Sequence, residues 1–359
     1  MKLLKTIPQT IVIVINIIMV VAMLVCAYSV VLPPQHYARL SACGMLFPVF
    51  LVVNVPFIVF WLVFKRKFVL ISLVGMLLCA GSIRTYIPVN LPQEPPAGAI
   101  KVLSYNIMNF GGEASALWEE NEIVQYLQHS NADIVCLQEA TNAGTKKALE
   151  VLGGQYPYSR LHEAEQNYLV CLSKYPILSE RKIDYVSSSN ASYAYEVAVG
   201  TKTMLVVNNH LESYRLTQED KDDYKSIIAN YQHPKQNKSK SKSFQLLEKL
   251  AYRDSLRGMQ VDSVVAFVQH NKDRYIVACG DFNASPISYT HHKLTEFLND
   301  AYTRSGNGPG ISYYRSGMYF RLDHILISPN LKAYGAVVDC SIKASDHYPI
   351  SCFIRFDEE

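Results

Sequence analysis

The sequence predicts an α/β domain that follows an N-terminal region of membrane-spanning helices. Two observations support this prediction. The long apolar runs of the 359-residue chain are concentrated in its first ninety or so residues. Beyond them, short apolar runs typical of strands alternate with segments of helical periodicity. The overall hydrophobic content of 49% therefore averages two regions of different character.

The N-terminal region, 1–87, contains three apolar runs, and we expect each to be a transmembrane helix. The runs 11–32 and 40–64 both exceed the roughly 20 residues that a bilayer requires. The third run, 68–87, is interrupted by Arg84 and is the weakest of the three. A cleaved signal peptide is the alternative for the first run, but its apolar core is too long and no small-residue cleavage site follows it.

Basic residues predict the orientation of these spans. Lys2 and Lys5 precede the first span and the cluster 65–67 separates the second from the third, whereas the loop between the first two carries only Arg39. Basic loops stay in the cytoplasm, so three spans place the rest of the chain on the extracytoplasmic side of an inner or plasma membrane. If the third run only lay in the membrane interface, the number of crossings would be two and the chain that follows it would be cytoplasmic. The segment 88–98, with four prolines, is predicted to be a short linker.

Region 99–359 is long enough to fold around one large core and shows no internal repeat. Short apolar runs bounded by turn residues predict its strands. These lie at 100–105, 134–137, 168–172, 204–208, 275–279, 325–328 and 349–356. Helical periodicity predicts helices at 116–128 and 244–268. Strands interleaved with helices indicate an α/β fold.

Carboxylate, amide and imidazole side chains recur where the predicted strands run into loops. The residues are Asn106, Glu139, His210, Asp281, Asn283, Asp323, Asp346 and His347. Oxygen ligands beside histidines suit Mg2+ or Mn2+ acting on a phosphate. The pattern therefore predicts the hydrolysis of a phosphoester.

In order and wording these motifs resemble the endonuclease/exonuclease/phosphatase superfamily. The resemblance includes Gly-Asp-Phe-Asn at 280–283 and Ser-Asp-His at 345–347, and it extends from about Ile100 to the end. His-Leu-Glu-Ser at 210–213 is similar to the sphingomyelinase and tyrosyl-DNA phosphodiesterase branches. The resemblance implies a four-layer sandwich, in which two packed mixed β-sheets are flanked by helices.

The resemblance also implies a role for each residue. Asn106, Glu139 and Asp346 would hold the cation, Mg2+ with Mn2+ as a possible substitute. His210 would bind phosphate or protonate the leaving group. The remaining catalytic candidates are Asp281, Asn283, Asp323 and His347.

Residue chemistry leaves some of these roles open. Asp281 and Asn283 leave one strand two residues apart, so both can reach one pocket while Phe282 points away. An Asx turn that merely ends the strand is the alternative. A carboxylate beside an imidazole, as Asp323 beside His347, raises the imidazole pKa and selects its tautomer. Whether His347 or Asp281 takes the proton of the attacking water stays open.

Other features lie outside this motif set. His324 is expected to point to the opposite face of its strand and to be structural. The segment Thr217–Asp220 resembles a capping box that starts a helix with an apolar stripe over 224–231. A lysine-rich loop at 235–242 follows, which either contacts anionic lipid or nucleic acid or is simply solvated. The eight cysteines show no zinc or redox spacing and are expected to be buried hydrophobes.

These observations predict a membrane-anchored, Mg2+-dependent phosphohydrolase, and in first place a phosphodiesterase. Its substrate would be a phospholipid head group, a nucleic acid or an inositol phosphate, which fold analogy does not separate. A membrane scaffold that kept the fold and lost catalysis is the alternative from another class. Competent side chains at every expected position argue against it. The sequence indicates no obligate protein partner beyond the membrane itself.

Overall fold

The N-terminal region of the computed structural model consists of helices, as predicted. The structure describes residues 2–112, 117–164, 167–187, 189–217, 219–220, 222, 238–315 and 317–357. The α-helices of this region are α1 (Lys2–Tyr28), α2 (Pro34–Ala42), α3 (Phe47–Phe64), α4 (Val69–Leu78) and α5 (Ala80–Tyr86). Short 3-10 turns at Ser29–Val31, Cys43–Leu46 and Arg66–Phe68 connect them.

Two stretches of this region, Gln9–Val31 and Pro34–Phe64, are long and apolar enough to cross a membrane. The helices Arg66–Leu78 and Ala80–Tyr86 meet the same criterion as a pair, but they are bent by 64° relative to each other. The bend falls at Cys79, so the third apolar run forms a broken helix. Arg84 lies beyond the bend, on the segment that leads into the linker.

Buried polar side chains join α1, α3 and α4. Asn16 of α1 donates to Ser72 Oγ of α4 over 2.8 Å and accepts from Trp61 Nε1 of α3 over 2.9 Å. Asn54 of α3 donates to the Met19 carbonyl of α1 over 3.3 Å. Hydrogen bonds of this kind hold helices together where no water competes for the polar atoms. They place α4 in one bundle with the two longer helices.

The chain beyond the linker forms two six-stranded mixed sheets. The first has the order β11-β12-β1-β2-β4-β3 and the second the order β5-β6-β7-β8-β10-β9. The strands are β1 (Ile100–Asn106), β2 (Ile134–Ala140), β3 (Tyr158–Ala164), β4 (Asn167–Ser173), β5 (Ile177–Ile183), β6 (Ala191–Val199), β7 (Lys202–His210), β8 (Tyr275–Asp281), β9 (Asn299–Asp300), β10 (Asp323–Ile327), β11 (Leu331–Val338) and β12 (Ile350–Phe356).

The two sheets pack face to face and helices cover their outer faces. Residues such as Val102, Val206 and Ile325 form the core between the sheets. The helices Glu122–Ser130 and Asn142–Leu152 cover the first sheet, and Lys238–His270 and Tyr289–Thr295 cover the second. Short helices also occur at Met108–Gly111, Trp118–Glu120 and Ala301–Ser305. The predicted four-layer α/β sandwich is therefore confirmed.

Several predicted elements differ in their bounds. The helix predicted at 116–128 begins at Glu122, because Asn121 Oδ1 accepts from the backbone N–H of Ile123 and caps the helix there. The helix predicted from residue 244 begins already at Lys238, so the lysine-rich segment is helical from that point and not a loop. The apolar stripe over 224–231 lies outside the described residues.

Strands β3, β5, β6, β9 and β11 were not predicted. The reason is clearest in β5, where the five residues between Ile177 and Ile183 are all exposed. A strand at a sheet edge buries neither face completely, so it shows no apolar run and no regular alternation.

The linker and helix α2 lie against the sandwich. The Pro88 carbonyl accepts from Gly308 N over 2.9 Å, and Asn90 N donates to Asn307 Oδ1 over 2.7 Å. Helix α2 packs along the helix Lys238–His270, where Gln35 donates to Asp262 over 2.8 Å. The segment 88–98 therefore follows the surface of the domain, and the domain is docked against the N-terminal helices.

Candidate active site

The strand ends bring the predicted site residues to one edge of the sandwich. In the second sheet β7 and β8 are parallel, which sets His210 beside Asp281. Strand β10 runs antiparallel to β8, which sets Asp323 on the other side of Asp281. Asn106 ends β1 of the first sheet and reaches across, because its Nδ2 donates to Asp281 Oδ2 over 3.0 Å. Both sheets thus contribute to one site.

Asp281 Oδ2 is the central atom of this site. It lies 3.6 Å from His347 Nε2 and 4.0 Å from His210 Nε2. Asp281 is buried, and burial raises the pKa of its carboxyl group to about 6, against the opposing effect of the charge on His347. A carboxylate with such a pKa can exchange protons near neutrality.

His347 and Asp323 form the predicted pair. His347 Nδ1 lies 2.7 Å from Asp323 Oδ2, which leaves Nε2 facing the site. Burial by itself would lower the pKa of His347, but the charges of Asp323 and Asp281 outweigh it and hold that pKa well above its usual range. Ser345 fixes the loop, since its hydroxyl donates to the Asn106 carbonyl over 2.7 Å.

Glu139 lies at an irregularity in β2. The pairing of β2 with β4 shifts between Leu137 and Ala140, and Glu139 has a φ of +53°. Its Oε1 accepts from Asn106 Nδ2 over 3.0 Å. Burial, together with the nearby charge of Asp346, raises the pKa of Glu139. The bulge turns this carboxylate from the strand direction into the site.

His210 is buried, and neither of its ring nitrogens has a hydrogen-bond partner among the described residues. Its Nε2 lies 3.6 Å from Glu139 Oε1. Burial lowers the pKa of His210, which favours the neutral ring with one N–H donor. A buried imidazole without a partner is costly unless a ligand supplies one.

Asp281 forms the Asx turn that the sequence left as an alternative, with Asn283 two residues further on. The backbone N–H of Asn283 donates to Asp281 Oδ1 over 2.8 Å, and the φ of Asn283 is +49°. The Asn283 side chain donates to the Leu211 carbonyl over 3.0 Å, and it also lines the pocket. Arg257, fully buried, donates to the carbonyls of Asn283 and Glu212. A catalytic role for Asn283 stays a prediction.

A pocket of about 200 Å³ opens on the site. Glu139, Asp281, Asn283, Asp346 and His347 all line it, while Asn106, His210 and Asp323 contact these residues from behind. The structure therefore brings all eight predicted residues together. The possible ligand atoms of Asp281, Asp323 and His347 also lie within 4.8 Å of one another.

Sequence reasoning missed several residues that line this pocket. They are Met45, Ser213, Tyr214, Arg215, Leu216, Tyr313, Met318, Phe320 and Leu322. Tyr313 pairs with His347 through a backbone bridge, and their ring centroids lie 5.1 Å apart. An aromatic residue in a loop gives no local signal of that pairing. Met45 belongs to an apolar run, which indicates only a membrane segment.

Two minor predictions can be checked at the same edge. Phe282 is buried in the outer core of the second sheet and points away from the pocket, as expected. His324 lies on the other face of β10, where its Nε2 contacts the Ala284 carbonyl at 2.8 Å, so its structural role is supported. The cysteines are free thiols, and most are buried, while Cys340 is exposed.

A sandwich of two mixed sheets with carboxylates and imidazoles at one edge is the framework of a phosphoester-hydrolysing enzyme. Residues 103–347 match the model of the Endonuclease/Exonuclease/phosphatase family, and the chain belongs to that family. Membership supports a hydrolase of the phosphoesterase or nuclease type. Residues 9–86 match the model of a domain of unknown function (DUF8431). No curated protein matches the sequence.

Solved structures show the same fold at low sequence identity. An endonuclease/exonuclease/phosphatase from Bacteroides vulgatus is 15% identical, with a TM-score of 0.52, over 72% of this chain and 99% of that one. The human Nocturnin catalytic domain with bound sulfate is 18% identical, with a TM-score of 0.51, over 73% and 96%. TDP2 from C. elegans is 17% identical, with a TM-score of 0.50, over 80% and 84%.

Proposed function

We propose that this protein is a membrane-anchored, divalent-metal-dependent phosphodiesterase whose catalytic domain, 99–359, faces the extracytoplasmic side. The supporting observation is the buried His210, which has no hydrogen-bond partner among the described residues and lies directly behind Glu139 and Asp281, two carboxylates that line the pocket. A phosphate oxygen that accepts from His210 would supply that partner. A scaffold without catalysis gives no reason to keep a buried histidine that lacks a hydrogen-bond partner.

The chemistry of the site fits a divalent cation. Burial raises the pKa of both Glu139 and Asp281, and Asp346 adds further negative charge beside them. Such a group of carboxylates is stabilised by a cation, and oxygen ligands favour Mg2+ or Mn2+. Glu139, Asp346 and Asn106 would hold it. Asn106 would bind through Oδ1, which accepts from Met108 N over 3.2 Å and has a second lone pair.

When bound, such a cation polarises the phosphoryl oxygens and offsets charge on the leaving oxygen. The pKa shifts of His347 and Asp281 support one assignment of the proton steps. The pKa of His347 is held high, so His347 keeps its proton and faces the substrate as a cation. Asp281, with a pKa of about 6, is then the better acceptor for the proton of the attacking water.

The overall reaction adds one water across the phosphoester bond. The water oxygen bonds to phosphorus as the bond from phosphorus to the leaving oxygen breaks. Asp281 accepts one proton of the water and afterwards releases it to solvent, while a proton from solvent reaches the leaving oxygen, so the enzyme returns to its starting state. His210, neutral and a hydrogen-bond donor, holds a phosphate oxygen during this step.

The packing of the N-terminal helices supports three membrane crossings. Helix α2, which lies between the long apolar helices α1 and α3, packs against the catalytic domain through Gln35 and Asp262. The loop that contains α2 and the domain must therefore share one side of the membrane. Three crossings satisfy this condition, whereas two would separate them. The basic cluster at 65–67 supports the extracytoplasmic side as the shared one, because basic loops stay in the cytoplasm.

The test of this function uses the full-length protein in detergent and the soluble diester bis-p-nitrophenyl phosphate. The full chain is needed because a protein cut at Ala99 would expose the surface that α2 covers. We expect nitrophenolate release with Mg2+ or Mn2+ and none in excess EDTA. The Asp281→Asn variant should be slower by about two to four orders of magnitude.

Full activity in excess EDTA would contradict the metal dependence. A folded protein without activity in any metal would favour the non-catalytic scaffold. The control is Asp262→Asn, because that carboxylate lies outside the pocket and contacts α2. It should retain hydrolysis of the soluble substrate.

A further inference from the structure

We propose, given the phosphodiesterase activity proposed above, that the substrate is an amphipathic lipid phosphodiester of the bilayer that holds the anchor. The observation behind it is that the active-site pocket has a wall from the membrane region. Met45 lines the same pocket as Glu139, Asp346 and His347. Met45 belongs to the turn Cys43–Leu46, which leads directly into α3.

The position of Met45 sets the height of the pocket relative to the bilayer. The apolar helix α3 starts at Phe47, and an apolar helix end lies at the membrane surface. Apolar side chains around this turn are exposed, including Leu46 at 48% and Val49 at 53%. Exposed apolar side chains at the end of a membrane helix are in contact with lipid. The pocket therefore opens where lipid head groups are found.

Close packing holds the turn in this place. A Cβ atom on Gly44 would lie only 2.2 Å from the Ile287 carbonyl oxygen, so the two backbones are in direct contact there. Ile287 packs among Met23, Phe47 and other residues of the N-terminal helices. Glycine permits this approach because it has no side chain. The relation between pocket and membrane is thus built into the fold.

The pocket wall itself is amphipathic. Carboxylates and His347 form one part of it, Ser213, Arg215, Asn283 and two tyrosines contribute further polar groups, and five apolar residues complete the wall. The apolar residues are Met45, Leu216, Met318, Phe320 and Leu322. Such a pocket accommodates a phosphate at the polar end and a hydrocarbon portion along the apolar wall.

Nucleic acid fits this wall less well. Proteins that bind nucleic acid present several lysines or arginines along the path of the backbone. Among the described residues that line the pocket, Arg215 is the single lysine or arginine, and its Nε lies 3.1 Å from Glu212 Oε1. A lipid that diffuses in the bilayer needs no such electrostatic path, because the anchor already holds enzyme and substrate together.

The test places the full-length protein in vesicles of phosphatidylethanolamine and phosphatidylglycerol with Mg2+. A labelled portion of these lipids is added either to the same vesicles or to separate vesicles without protein. We expect hydrolysis in the same bilayer to be faster by at least about tenfold, because tethering raises the effective concentration. Parallel assays contain bis-p-nitrophenyl phosphate, a DNA oligonucleotide and a soluble inositol phosphate.

Two variants test the apolar wall. Met45→Glu places a charge where a hydrocarbon chain would lie, and it should lower the ratio of lipid to bis-p-nitrophenyl phosphate hydrolysis by about tenfold or more. Met45→Leu keeps an apolar side chain of similar volume and should keep that ratio. A ratio that falls equally in both variants would overturn the role of this wall.

The assays also separate this proposal from the proposed function. Cleavage of DNA or of the inositol phosphate with no cleavage of lipid, in a protein active on the soluble diester, would overturn the lipid substrate and leave the phosphodiesterase intact. Absence of hydrolysis of every probe, in folded protein with Mg2+, would overturn both.

Discussion

His347 Nδ1 and Asp323 Oδ2 lie 2.7 Å apart, and this contact joins the C-terminal Ser-Asp-His loop to the start of β10. The pair sets which ring nitrogen faces the pocket and holds the pKa of His347 high. Asp323 lies behind His347 and is buried completely. In the proposed mechanism it therefore acts through His347 as a positioning residue.

The first prediction concerns this pair. His347→Ala should lower kcat by about two to three orders of magnitude, the usual cost of removing one group that stabilises charge in the transition state. Asp323→Asn should also lower kcat, and the double variant should be hardly worse than His347→Ala, because both changes disable one unit. The measurement is a double-mutant cycle on the soluble diester. Losses that simply multiply would show that the two residues act independently.

The second prediction concerns Glu139. Glu139→Gln should raise the Mg2+ concentration for half-maximal activity by about tenfold or more, because an amide binds the cation less strongly than a carboxylate. The melting temperature without Mg2+ should not fall, since the raised pKa of Glu139 shows that its charge is disfavoured there. The exposed Glu163, changed to Gln, is the matched control. Unchanged Mg2+ dependence in Glu139→Gln would remove this residue from the metal site.

The third prediction concerns stability in acid. Burial, together with the charge of His291, lowers the pKa of His324 to about 3, below the value of about 6.5 for an exposed histidine. As the pH falls below about 6.5, the unfolded chain takes up a proton that the folded chain excludes. The contribution of His324 to the free energy of unfolding is therefore fully present above about pH 6.5. It falls by up to about 1.4 kcal/mol per pH unit down to about pH 3.

The measurement compares unfolding between pH 4 and pH 7 in wild type and in His324→Asn. The variant loses the contact with the Ala284 carbonyl, so its free energy of unfolding is lower at every pH. That free energy should nevertheless change less steeply with pH than in the wild type. His270→Asn, at an exposed helix end, is the control and should keep the slope of the wild type. Parallel slopes in wild type and His324→Asn would contradict the prediction.

The fourth prediction concerns location. A C-terminal alkaline phosphatase fusion should be active and a C-terminal green fluorescent protein fusion dark, because three crossings carry the domain out of the cytoplasm. Fusions placed after the basic cluster 65–67 should give the opposite pattern. If the full-length fusions reported a cytoplasmic C-terminus, α4 and α5 would not cross, and intracellular nucleic acid would become the substrate to test.

The sequence by itself determined the features that depend on neighbouring residues. Uninterrupted apolar runs predicted the membrane helices, and buried strands such as β1 and β8 showed short apolar runs because both of their faces are covered. The site residues were recognisable because they end such strands in a recurring order. Edge strands such as β5 were missed, since exposure on both faces removes the apolar signal.

Only the tertiary structure decided how distant segments meet. It oriented Asn106 so that its amide nitrogen donates to the carboxylates of both Glu139 and Asp281. It also left His210 without a hydrogen-bond partner among the described residues. It also placed Met45, from the turn that leads into the apolar helix α3, in the wall of the pocket. Local patterns cannot show these relations, because the burial of a side chain and the shift of its pKa depend on atoms that folding brings from elsewhere in the chain.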